Sequence, residues 1–297
     1  AAQFLRGRHL LLAKTVRRGG VGTIRAFVRR HPTIVAGGLM LAIFIAVAVL
    51  APLLGTVDPS AVAPSKRLRP PSGEFWFGSD MLGRDIWSRT LYGARLSLAV
   101  GIGVALLACV CGLAIGLVAG FMRGVDSVVM RIMDGLMSIP PILIAISLMA
   151  LSKASLKNVI IAITIAAIPR VTRLVRGVVL SLREQPYVDA AVVVGTTTPM
   201  ILLRHILPNV MAPLLVQGSY ICAAAMITEA ILSFIGAGTP PNIPSWGNIM
   251  AEGRSLFQIA WWIILFPGIF LSLTVLAMNM LGDGLRDALD PRLSRRM

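Results

Sequence analysis

Residues 187–208 read Tyr187-Val188-Asp189-Ala190-Ala191-Val192-Val193-Val194-Gly195-Thr196-Thr197-Thr198-Pro199-Met200-Ile201-Leu202-Leu203-Arg204-His205-Ile206-Leu207-Pro208. This proline-bounded, partly polar stretch lies between long apolar runs, and it reads as two short helices joined by a tight turn. Pro186 has the fixed φ suited to a first helical position, and Asp189 puts a negative charge in that first turn, where a helix N-terminus favours it. Gly195 supplies a left-handed stop. Thr198 before Pro199 is a cap followed by a first helical residue. Pro208 is expected to close the second helix off from the next apolar run. In a chain built for lipid, a helix–turn–helix on one aqueous face is a docking surface.

Lipid is where the rest of the chain belongs. It is 56% hydrophobic and 14% charged, against about a quarter charged in an ordinary soluble domain. Residues 32–57, 96–122 and 255–282 contain no Asp, Glu, Lys or Arg, and each exceeds the roughly 20 residues that cross a bilayer as a helix. Three further crossings are less clean: 135–152 is uncharged, 158–169 runs toward Arg170, and 209–235 is broken only by Glu229. The expectation is an all-α integral membrane protein with six helices near 34–54, 94–121, 130–152, 158–180, 209–235 and 260–282.

A net charge of +15 in a soluble protein would suggest nucleic acid, but its distribution argues against that partner. With six crossings both termini share one side, and 19 of the 28 basic residues fall there. By the positive-inside rule that side, with residues 187–208, is cytoplasmic, and the excess also attracts anionic membrane lipids. The first apolar run is too long for a cleaved signal peptide, so it reads as a retained helix. The basic segment before it reads equally as an interfacial amphipathic helix or a positive tail. Cys109, Cys111 and Cys222 lie in apolar spans without metal-type spacing and read as buried thiols.

The 187–208 segment also resembles the EAA loop of importer-type ABC permeases: acidic-Ala-Ala, three residues, Gly, nine residues, a hydrophobic position, any residue, Leu-Pro. Asp189-Ala190-Ala191, Gly195 and Leu207-Pro208 fall at those spacings, with Asp189 where Glu is usual and His205 in the hydrophobic position. Arg204-His205-Ile206-Leu207-Pro208-Asn209 resembles the dipeptide, oligopeptide and nickel branch, in its C-type permease. So do Phe77-Gly78-Ser79-Asp80-Met81-Leu82-Gly83-Arg84-Asp85-Ile86-Trp87-Ser88-Arg89, with Ser79 in place of Thr, and Ser233 to Gly238 with Pro244-Ser245-Trp246-Gly247. Leu281 to Arg292 extends the likeness, which covers about residues 76–292.

The resemblance implies a type I importer permease fold in a bacterial plasma (inner) membrane, multi-pass, with both termini cytoplasmic. The chain is expected to divide into a basic segment 1–33, a first helix and external segment 34–90, a permease core 91–283 with a coupling segment 184–209, and a tail 284–297. The resemblance further implies a second homologous permease as heterodimer partner, two ATPase subunits that bind ATP and Mg, and an extracytoplasmic substrate-binding protein. Asp189, Ala190, Ala191, Gly195, Pro199, Arg204, His205, Leu207 and Pro208 are the implied coupling residues. The implied cargo is peptide, with nickel or haem as the alternatives within the branch.

Other positions carry readings of their own. Gly78, Asp80, Gly83, Arg84 and Asp85 form an external motif in which Gly83 allows a turn and Arg84, Asp85 and Arg89 can pair on a short helix; direct contact with substrate is the other reading. Gly112, Gly116 and Gly120, with Ser97 and Gly101 earlier, let a second helix approach closely, either within this chain or on a partner permease. Pro140-Pro141 should break or kink the third span, and Asp134 can pair with Arg131 three residues before it. Arg170, Arg173 and Arg176 either anchor a helix end or, as a rival, sense voltage in a channel. Glu229, deep in an apolar run, either lines a translocation path with Asp134, Pro140 and Pro141 or is protonated or hydrogen-bonded in a helix contact. A Trp246 at the membrane interface is expected from its Pro/Gly-rich surroundings.

Chemistry of its own is not expected. The chain lacks a Gly-x-x-x-x-Gly-Lys-Ser/Thr phosphate loop, a Ser/His/Asp or Cys/His set, and any His cluster for a metal. The rival from another class is a stand-alone proton-coupled transporter with Glu229 as its relay.

Overall fold

The computed structural model describes residues 28–289. The readings of 1–27 and of 290–297 lie outside the described residues. Among the described residues from Pro32 onward ten α-helices succeed one another: α1 Pro32–Leu50, α2 Ile86–Phe121, α3 Arg123–Met137, α4 Pro141–Ala150, α5 Leu156–Arg183, α6 Pro186–Val193, α7 Thr198–Ile201, α8 Leu207–Phe234, α9 Trp246–Gly253 and α10 Trp262–Leu289. Among the described residues the nearest thing to a sheet is one isolated bridge between Ser79 and Asp85. Among the described residues five segments are long and apolar enough to cross a membrane, and the α3–α4 pair, bent by 84°, makes a sixth if taken as one span.

The centre of the bundle is α2 against α5. A Cβ at Gly112 would lie 2.5 Å from that of Val171, one at Gly116 2.7 Å from that of Val175, and one at Gly120 2.7 Å from that of Val179. Three glycines four residues apart therefore receive three valines four residues apart, and dispersion between the two backbones replaces the hydrophobic drive that lipid does not supply. The glycine face left open by sequence is thus filled within this chain. Earlier in α2, Gly101 takes Cys222 and Met226 of α8 in the same way. On the far flank α10 lies between α8 and α1, where Gly282 abuts Ser219 and Gly284 abuts Ile34.

Three helix bounds differ from expectation. Helix α2 begins at Ile86 rather than near 94, because Arg89 and Arg95, which end an apolar window, both find partners inside the fold. Arg95 donates from Nε to the Ala48 carbonyl at 2.5 Å and from Nη2 to that of Val49 at 3.1 Å. The third span is two helices rather than one kinked helix. With Pro140 extended ahead of Pro141 at the first position of α4, neither residue can donate to the carbonyls of Leu136 and Met137.

The third difference concerns Pro208, which does not close a helix. It sits in the first turn of α8, and the chain runs on helically from Thr198 to Phe234. A π-helical stretch, Leu202–Ile206, lets the Leu207 N–H reach the Leu202 carbonyl. The wider turn absorbs the register that a proline denies an α-helix.

Candidate functional site

Helix α6 and the turn after it form a compact knob. Gln185 precedes Pro186, Asp189 falls in the first turn, and the helix stops at Gly195, whose φ is +85°. Thr196 N–H donates to the Ala191 carbonyl at 3.0 Å and Gly195 N–H to that of Val192 at 2.9 Å, the paired bonds of a Schellman stop. The cap of α7 is Thr197, one residue before the expected Thr198, and Pro199 takes the second position. Val188, Ile201 and Ile206 are buried and hold the knob to the bundle, while Ala191 packs partly against the same core. Asp189, Ala190, Arg204 and Pro208 are open to solvent and His205 is half-buried near the Tyr187 ring. Val193 and Val194 are 86% and 84% exposed, and side chains this apolar face a partner more readily than water.

At the opposite end a buried ionic clamp joins the external segment to α9. Asp80 accepts from Arg84 Nε at 2.6 Å and from Arg89 Nη1 at 2.5 Å, and Glu252 accepts from Arg84 Nη2 at 2.7 Å and from both Arg89 Nη atoms at 2.6 and 2.9 Å. Asp85 takes no part in this pairing and caps α2 by accepting from the Ser88 N–H. The motif glycines are turns under constraint: Gly83 has φ +73°, and a Cβ there would fall 1.8 Å from the Ala63 carbonyl oxygen. Gly78, at φ +79°, meets the Trp262 ring. Nearby, the hydrogen bond from Lys66 to the exposed Glu74 holds that carboxyl below the usual carboxylate range. Trp246 lies inside rather than at an interface, with its Nε1 donating to the Thr90 carbonyl at 2.9 Å.

Glu229 belongs to the same end. One oxygen, Oε1, accepts from Ser233 Oγ at 2.8 Å, Ser245 Oγ at 3.0 Å and Thr239 Oγ1 at 3.4 Å. Ser245 also caps α9 by accepting from the Asn248 N–H. Glu229 thus ties α8 to α9 and is absent from the walls of the cavity at the helix break.

Halfway down the bundle that cavity, of about 300 Å³, opens beside the α3–α4 break, walled by Val104, Ile139, Pro141, Ile163, Arg170 and Thr228 among others. The arginine row above it is not an array of equals. Arg173 pairs with Asp134, which sequence matched with Arg131, and Arg176 pairs with Asp126. Arg183 donates to the Gly120 carbonyl. Of the residues named for a path, Pro141 lines the cavity and Pro140 sets the break, whereas Asp134 faces α5 and Glu229 faces α9.

Residues 112–295 match the family of binding-protein-dependent transport system inner membrane components. The chain belongs to that family. It is 52% identical to the probable peptide ABC transporter permease protein y4tQ of Sinorhizobium fredii over 92% of this chain and 94% of that one. It is 42% identical to the dipeptide transport system permease protein DppC of Alkalihalophilus pseudofirmus over 90% and 88%. In fold it resembles a chain of the MetNI methionine ABC transporter, solved in inward-facing conformations, with a TM-score of 0.58, 19% identity, and coverage of 69% of this chain and 98% of that one. This is a permease of the type I importer fold, multi-pass in the inner membrane.

In this permease the nine residues expected in coupling share one end of the bundle, and the external motif shares the other. Sequence missed Glu252, which sits 163 residues from Arg89 and outside any recognised motif. Its one signal in the sequence is that it is the lone acid between Glu229 and Asp283.

Proposed function

We propose that this permease forms half of the path of an ATP-driven peptide importer and that the 187–208 knob seats in a groove of a partner ATPase. The observation that carries the reading is the knob itself: apolar Val193 and Val194 thrust outward from a short helix with a fixed stop, on a base locked into the core. Closure of the ATPase pair would push α6 as a rigid lever, and the unbroken helical course from Thr198 to Phe234 would pass that push through the bilayer. ATP and Mg would be held by two partner ATPases, cargo would arrive on an external binding protein, and a second homologous permease would complete the path in a heterodimer among membrane lipids. The peptide cargo for which the relatives are named supports the substrate class. On the positive-inside argument both termini and the knob are cytoplasmic.

Uptake assays test the lever. A β-branched side chain at a left-handed φ costs about 1–2 kcal/mol, so Gly195→Val should distort the stop without unfolding a multi-helix bundle. Asp189→Arg reverses the charge at the start of α6. Both variants are expected to reach the membrane at normal levels and to abolish ATP-driven uptake; normal uptake by both would refute the lever.

A further inference from the structure

Three of the four arginines of α5 follow one another at a spacing of three, and two of those three are neutralised: Arg173 by Asp134 and Arg176 by Asp126. Arg170 has neither a carboxylate nor a hydrogen-bond partner among the described residues. It is the fifteenth of the 28 residues of α5, about 20 Å from either end at 1.5 Å per residue. It is the first charge after the uncharged run 158–169 and lies one turn before the Arg173–Asp134 pair, where the apolar part of the helix ends, and its side chain is exposed. An unpaired guanidinium at the end of an apolar run is available to an anionic solute. Here it faces the cavity at the α3–α4 break.

The lining narrows the ligand. Apart from Arg170 and Thr228 the walls are Val, Leu, Met, Ile, Pro and Ala, with no Asp, Glu, His or Cys among them. A divalent transition metal would find no ligand there, and a peptide's amino terminus would find no counter-charge. An anion finds a guanidinium, which pairs in a planar, two-pronged manner with a carboxylate. Apolar walls accept varied side chains without selecting among them, while the free α-carboxylate is common to linear peptides of any sequence. The volume, about 300 Å³, lies at the lower end of small-molecule sites, about 300–1,000 Å³, and suits the C-terminal part of a short peptide.

We propose that this cavity is a transit subsite for peptides in which Arg170 receives the C-terminal carboxylate, an inference that rests on the peptide-importer reading and specifies it. The site holds cargo after release from the binding protein. Loss of its charge therefore slows turnover for free-acid peptides and spares peptides that lack the acid.

The test uses the whole importer in proteoliposomes, with ATP-driven uptake of radiolabelled trialanine and trialanine amide, each at concentrations saturating the binding protein. The wild type is expected to turn over the acid about tenfold faster than the amide, the scale of one charged hydrogen-bonded contact. Arg170→Gln should remove that ratio by slowing the acid about tenfold, and Arg170→Lys should keep most of it. Equal wild-type rates for acid and amide, or equal losses for both in Arg170→Gln, overturn the carboxylate subsite and leave the peptide importer standing; the first of these needs no variant to assemble. Wild-type vesicles that take up neither peptide but accumulate nickel or haem overturn the peptide-importer reading and the subsite with it.

Discussion

Arg89 shows how one side chain can hold two distant parts of the chain together. It is 1% exposed, as is Asp80, and each of its terminal nitrogens meets a carboxylate. Such a group is tolerated in a buried place only because its partners are complete, and removing one member strands the others. Arg89→Met would leave Asp80 with Arg84 alone, and the expected loss is about 3–5 kcal/mol. It should be read as a lower Tm of the purified complex. Glu252→Gln keeps the shape and loses one charge from the partly exposed rim, so its shift should be the smaller of the two. Equal shifts would mean that the clamp acts through packing rather than charge.

At the scale of whole helices, the α2–α5 seam decides how closely the bundle can pack. Gly116 faces Val175 and the Thr172 carbonyl with no room for a methyl group. Gly116→Leu should therefore cost more than the about 1–3 kcal/mol of ordinary overpacking, because the obstruction is backbone as well as side chain. Reduced recovery of the variant in membrane extracts, beside a near-normal Gly177→Leu, would check it; a Cβ at Gly177 meets nothing within 4 Å. The glycine row was legible in sequence, since small residues four apart stand out in an apolar helix. Its valine counterpart was not, because Val171, Val175 and Val179 are indistinguishable from the lipid-facing residues around them. The same limit hid the course of α8. Pro208 has every property of a helix terminator, and only the π-helical turn before it, a matter of backbone register, lets the helix continue. By contrast, Gly195 was read correctly from sequence because its left-handed turn is a local requirement.

For the molecule as a whole, the question is where the energy for transport enters. A proton relay at Glu229 would need that carboxyl to communicate with the path, yet all three of its donors, Ser233, Thr239 and Ser245, tie it to the junction of α8 and α9. The cavity at the helix break carries no acid. The feature offered to the cytoplasm is instead the exposed knob at 192–194, which the turn at Gly195 joins to the helical course from Thr198 to Phe234. On the proposed lever, energy supplied there would reach the external end without any titrating group. Glu229→Gln keeps the Oε1 acceptor on which the three hydroxyls converge, so the α8–α9 tie should survive and uptake should stay within about twofold of wild type. Depletion of ATP should stop uptake in both proteins, and a collapsed pH gradient should leave both running. Uptake that outlasts ATP and fails in Glu229→Gln would move the energy source from the knob to the carboxyl.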